Sequence, residues 1–151
     1  MLIKFLKLPI LHCLVSIALM QMITTYFPMP ALMAENIRLS GSIATLIIGV
    51  IILVSATLKF RQLRTNIKPF QEPNKLITTN VFGISRNPIY LGFVLISLSA
   101  AFYFNQLSAF LPVLMLFLLA NYWYIPHEER DAARIFGPEF ETYKTRVRRW
   151  L

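Results

Sequence analysis

Apolar positions in this chain fall into blocks of membrane length, separated by short polar stretches. Four blocks occur, at 8–27, 40–58, 89–104 and 107–125, and none contains Asp, Glu, Lys or Arg. A helix needs about 20 residues to cross the hydrocarbon of a bilayer. Each block is therefore predicted to be a transmembrane helix, the third crossing with little tilt or in a locally thinned bilayer. The predicted fold is all-α: residues 1–151 form one domain, a bundle of four transmembrane helices followed by a helical tail at 126–151. Lys4 and Lys7 precede the first block, as in a secretory leader. Its apolar core is nevertheless longer than the roughly 7–15 residues of a leader, and Met29-Pro30-Ala31 is a poor cleavage site. The block is expected to remain as a helix.

The longest polar connection runs from Lys59 to Asn87 and contains Pro69 and Pro73, which argues against a continuous helix there. Its apolar positions, Ile67, Phe70, Leu76, Ile77, Val81, Phe82 and Ile84, predict that it folds back on the bundle. In the tail, Pro126 suits a first helical position, and the Gly137-Pro138 step ends one helix and begins another. Phe136, Phe140, Tyr143, Val147 and Trp150 then form an apolar stripe, with Glu139, Lys144, Arg146 and Arg149 opposite. Such a tail lies along the headgroups or closes over the end of the bundle.

Composition agrees with a membrane protein: 56% of the 151 residues are hydrophobic, above the usual share for a soluble domain. The net charge of +8 is unevenly placed. Of the 15 Lys and Arg residues, all but Arg38 lie before the first block, between the second and third, or after the fourth. Four crossings put those regions on one side, and the positive-inside rule makes that side, with both termini, cytoplasmic. Topology and anionic headgroups account for the charge, so no nucleic-acid partner is expected. Membrane lipids are the expected surroundings, and the oligomeric state is not encoded in any feature of the chain. The single cysteine, Cys13, excludes a disulfide within the chain. His12 and His127 have no metal-ligand spacing, so no metal site is expected. The five glycines form neither a dinucleotide-binding nor a P-loop pattern, and no serine nucleophile elbow occurs.

Two polar stretches remain. Ser85-Arg86-Asn87-Pro88-Ile89-Tyr90-Leu91-Gly92 opens the third block. Structurally, Asn87 can cap the helix, Pro88 can start it, and Arg86 and Tyr90 can anchor the interface. Functionally, free amides, a guanidinium and a tyrosine face suit a ligand with a carboxylate and a cationic centre, and Gly92 permits close approach. Glu128-Glu129 follows Tyr122-Trp123-Tyr124 at the end of the fourth block. These carboxylates can complement a helix dipole. Near the membrane plane they also call for a cationic partner, which Arg130, Arg134 or a bound cation could supply.

From Thr65 to the C-terminus the chain resembles the isoprenylcysteine carboxyl methyltransferase and phospholipid methyltransferase superfamily. The resemblance rests on Thr65-Asn66-Ile67-x-Pro69, Leu76-Ile77, Ser85-Arg86-Asn87-Pro88-x-Tyr90-x-Gly92, Tyr124, Glu128-Glu129, Phe136-Gly137, Phe140, Tyr143 and Val147. It implies an integral membrane methyltransferase of short bacterial type, in the inner membrane, that uses S-adenosylmethionine. It further implies that Arg86, Asn87, Pro88, Tyr90, Gly92, Tyr124, Glu128 and Glu129 bind the cofactor, with Arg86, Glu128 and Glu129 forming the catalytic pocket. In that picture Arg86 pairs with the donor's carboxylate, and the glutamates orient its ammonium. The acceptor would be a lipophilic small molecule from the bilayer, methylated on a carboxylate or an amine. Asn87 replaces the superfamily's usual histidine, and Asn80 to Ile84 lacks its Gly-x-Tyr arrangement. Two alternatives remain at this stage: a membrane reductase of the sterol type using NADPH, and a non-enzymatic membrane subunit.

Overall fold

The computed structural model describes residues 8–64 and 74–151, and all regular structure in them is helical. Lys4, Lys7, Ile67, Phe70, Pro69, Pro73 and the Thr65-Asn66-Ile67-x-Pro69 motif lie outside the described residues. Helix α1 spans Pro9–Tyr26, α2 Glu35–Leu63 and α3 Pro88–Phe104. After a short turn, α4 (Phe110–Leu119) passes through one wide π turn (Ala120–Tyr124) into α5 (Ile125–Phe136), and α6 spans Pro138–Arg146. Among the described residues three helices are long and apolar enough to cross a membrane: α1, α2 and the continuous 30-residue helix Leu107–Phe136. The other predicted span, α3, is apolar but has 17 residues, a length of about 26 Å at 1.5 Å per residue.

Helix α3 is the centre of the bundle. Residues from all along it, among them Tyr90, Leu91, Gly92, Phe93, Ser97 and Ala101, are buried. Helix α1 buries a stripe spaced by three or four residues, Pro9, Cys13, Ser16, Met20 and Thr24, of which Cys13, Ser16 and Met20 meet α3. Ser16 Oγ and Ser97 Oγ meet at 2.7 Å within this contact. Helix α2 approaches through glycine. A Cβ at Gly92 would lie 3.0 Å from the Gly49 carbonyl, and one at Gly49 would lie 3.1 Å from the Gly92 carbonyl. Small residues draw helix backbones together where water offers no hydrophobic drive. Gly92 thus lets the backbone of another helix approach closely.

At one end, Asn105 adopts a left-handed conformation (φ 54°) and ends α3. Its side chain accepts from the Met33 amide and donates to the Met33 carbonyl, each at 2.9 Å, which ties the α1–α2 connection to the α3–α4 turn. At the other end, Ile77 and Phe82 pack on Ala56, with Phe60 and Leu63 beside them. The described part of the long connection therefore does fold back on the bundle.

The tail differs from expectation at its start. Pro126 does not begin a new helix after a break. It sits inside the continuous Leu107–Phe136 helix, directly after the π turn. Proline cannot donate to the carbonyl four residues back, and a wider turn accommodates that missing bond. Gly137, at φ 51°, then ends α5 as predicted, and Pro138 opens α6.

Candidate functional site

The two polar stretches meet. Arg86 precedes α3, Glu128 and Glu129 lie on the first turn of α5, and the packing of α3 against the Leu107–Phe136 helix brings them to the same end of the bundle. Arg86 Nη2 donates to Glu129 Oε1 at 2.7 Å. Arg149, beyond α6, donates through Nη2 to Glu129 Oε2 at 2.5 Å and through Nε to Oε1 at 3.3 Å. Two guanidinium groups therefore share one carboxylate, leaving this cluster one net positive charge. The Glu129 and Arg86 side chains are 15% and 11% exposed, whereas Arg149 is 35% exposed.

Glu128 points elsewhere. Its Oε1 accepts from the Tyr90 hydroxyl at 2.6 Å, and among the described residues no Lys or Arg forms an ion pair with it. The Tyr90 and Tyr124 rings lie 5.6 Å apart with planes tilted by 34°. Tyr124 in turn meets His12 Nδ1 at 3.2 Å. Beneath them an apolar cleft runs between α1, α3 and α4, lined by Pro9, His12, Phe93, Val94, Leu116 and Leu119 with the two tyrosines. The adjacent glutamates thus create two unlike environments: a cationic one at Glu129, and a carboxylate among aromatic rings at Glu128.

A C-terminal strap, Val147 to Trp150, completes the site. The Arg86 amide donates to the Arg148 carbonyl at 3.0 Å, and Arg86 Nη1 donates to the Val147 carbonyl at 2.6 Å. Ser85 Oγ and Asn87 Nδ2 both donate to the Arg149 carbonyl, at 3.3 and 3.1 Å. Asn87 does not cap α3 with its side chain; it holds the strap instead, while buried Pro88 supplies the first helical residue. The Trp150 indole donates to Asn121 Oδ1 at 3.0 Å and stacks on Phe117 with centroids 4.8 Å apart. Upstream, the Tyr143 hydroxyl donates to the Phe82 carbonyl at 2.6 Å. Burial pushes that hydroxyl up to about 12, so it stays a donor throughout the physiological range.

Of the residues singled out in the sequence, Arg86, Asn87, Pro88, Tyr90, Tyr124, Glu128 and Glu129 gather at this end of the bundle, and Gly92 faces Gly49. Arg130 donates within its own helix, to the Pro126 carbonyl at 3.1 Å. Arg134 pairs with Asp131. Neither supplies Glu129 with its cation. Arg149 does, although the helical wheel had put it on the polar face opposite the stripe. Asn121, His12 and Arg149 were not singled out as site residues. The surplus of arginines directly before an aromatic residue, at Arg148-Arg149-Trp150, was the available signal for the strap.

A family model described as phospholipid methyltransferase matches residues 37–139. The match includes Arg86, Tyr90, Glu128 and Glu129, and excludes α1 and the strap. A protein of Haemophilus influenzae named only as uncharacterized is 36% identical over 63 residues, which are 42% of this chain and 100% of that one. No solved structure matches the chain.

Proposed function

The chain belongs to the phospholipid methyltransferase family, and from that premise we propose that it transfers a methyl group from S-adenosylmethionine to a lipophilic acceptor held in the membrane. The observation that carries this reading is the meeting of Arg86, Tyr90, Glu128 and Glu129 at one end of a helical bundle within the matched residues. Three apolar helices and the family together fit an integral membrane protein. We take α3 as a fourth crossing, with both termini cytoplasmic in a bacterial inner membrane, because the site end then carries nearly all the Lys and Arg.

The residues suit the donor's chemistry. S-adenosylmethionine, when bound, supplies a methyl group on a cationic sulfonium, beside an amino-acid zwitterion. The cluster of Arg86, Glu129 and Arg149 offers positive charge for a carboxylate. Glu128, held by Tyr90, offers an anion, and the Tyr90 and Tyr124 ring faces favour a cation without hydrating it. Partial burial of Arg86 and Glu129 limits water around them, which strengthens the charge contacts they make. Tyr90 fixes one oxygen of Glu128 and leaves the other to orient a cation or to take a proton from an amine acceptor. The apolar lining below the tyrosines suits the acceptor's apolar part.

The test is direct. Membranes containing the protein, given methyl-labelled S-adenosylmethionine, should place label in the organic extract, in a product heavier by one methylene. Membranes carrying Glu128→Gln should lose most of that label. Equal labelling with and without the protein would refute the reading.

A further inference from the structure

The geometry points to Arg149, not Arg86, as the residue that binds the carboxylate of the methyl donor, with Arg86 acting as a positioning residue; this rests on the function proposed above. The two arginines are equivalent in charge but not in commitment. Arg86 has its amide on the Arg148 carbonyl, Nη1 on the Val147 carbonyl, and Nε and Nη2 on Glu129. Its side chain is 11% exposed. All three nitrogens of the Arg86 guanidinium thus already donate to protein groups, and little of its surface is open to a ligand.

Arg149 uses only Nε and Nη2, both on Glu129. Its Nη1 donates to nothing among the described residues, and its side chain is 35% exposed. It therefore presents an accessible edge of a guanidinium whose other edge is fixed. Fixing matters because a fork already oriented loses less freedom when it binds. The site also matches the chemistry of the ligand. An amino-acid end carries an ammonium and a carboxylate on one carbon; Arg149 offers the cation for the carboxylate, and Glu128, next in the chain to the Glu129 that holds Arg149, offers the anion for the ammonium. Arg86, in turn, holds the strap that carries Arg149 and anchors the carboxylate to which Arg149 is bound. Arg149 lies ten residues past the end of the family match at 139, so this assignment comes from the strap's placement alone.

The experiment compares two probes on the full-length protein in detergent: S-adenosylmethionine and its decarboxylated analogue, each by titration calorimetry. A charge-assisted contact to a carboxylate predicts that the wild type binds the analogue about 10- to 100-fold more weakly. Arg149→Gln should weaken S-adenosylmethionine by a similar factor and leave the analogue within about two-fold. Arg86→Gln should weaken both together, because it disturbs the strap. Arg149→Lys repeats the comparison should the glutamine variant not fold, since it keeps the charge and loses the fork; it should again weaken only the carboxylate-bearing probe. Equal weakening of both probes by the Arg149 variants, or none, would overturn the assignment. No saturable binding of either probe to the wild type would instead overturn the proposed function on which it rests.

Discussion

Glu129→Gln tests the charge cluster most sharply, because one carboxylate serves two guanidinium groups. Replacing it with the neutral isostere keeps the volume and one acceptor oxygen but removes the one negative charge that, among the described residues, contacts both Arg86 and Arg149. Breaking a fully buried ion pair by removing one partner costs about 3–5 kcal/mol. Arg86 keeps its bond to the Val147 carbonyl and some exposure, and Arg149 can turn outward. The expected cost is therefore lower, about 2–3 kcal/mol. Equilibrium unfolding in detergent, followed by Trp150 fluorescence in a Trp123→Phe background, reads the loss at the strap itself. A double-mutant cycle then divides it: Glu129 should couple to Arg86 more strongly than to Arg149, since the first pair is the more buried. A loss below about 0.5 kcal/mol, the range of an ordinary surface substitution, would mean that the cluster is solvated and the reasoning is wrong.

Other substitutions separate packing from chemistry. Tyr90→Phe removes the donor to Glu128 at 2.6 Å and should lower kcat/KM roughly 10- to 100-fold, with helicity unchanged by circular dichroism. Gly92→Ala places a Cβ 3.0 Å from the Gly49 carbonyl; it should destabilise the protein by about 1–3 kcal/mol through overpacking while donor affinity, measured by calorimetry, is kept. Tyr143→Phe strips the Phe82 carbonyl of its donor and should cost about 1–3 kcal/mol in the same unfolding assay. The Tyr143 hydroxyl also makes a pH prediction. Its value lies above the ordinary 10.0, at about 12, so its contribution is full below pH 10.0 and fades as pH rises toward about 12. Wild type and Tyr143→Phe should converge in stability across that window.

Helices were legible wherever a block was apolar throughout, because backbone groups in hydrocarbon must bond within their own helix. The Gly137-Pro138 step was legible for a local reason, since both residues act on their own dihedrals. Pro126 misled because its effect depends on what precedes it: an apolar helix already running can widen by one turn and continue. Arg86, Glu128 and Glu129 could be read as neighbours because each flanks an apolar run at the same end. Their partners could not. Whether Arg149 faces water or Glu129 depends on how the chain turns after Val147, and nothing in the spacing of Arg146, Arg148 and Arg149 sets that turn. Asn87 had the chemistry of a helix cap, but what its side chain does is donate through Nδ2 to the Arg149 carbonyl of the strap, a partner that its neighbours in the sequence do not reveal. Gly92 announced a close approach, and only the crossing of α2 reveals that the approaching group is the backbone of Gly49.

Photolabelling with radioactive S-adenosylmethionine, followed by peptide mapping, bears most directly on the claim that these residues form one donor site. Saturable label should appear on peptides containing Tyr90, Glu128 and Arg149, and excess unlabelled donor should displace it. Label confined to the opposite end of the bundle, around Asn105, or insensitive to unlabelled donor, would contradict the account.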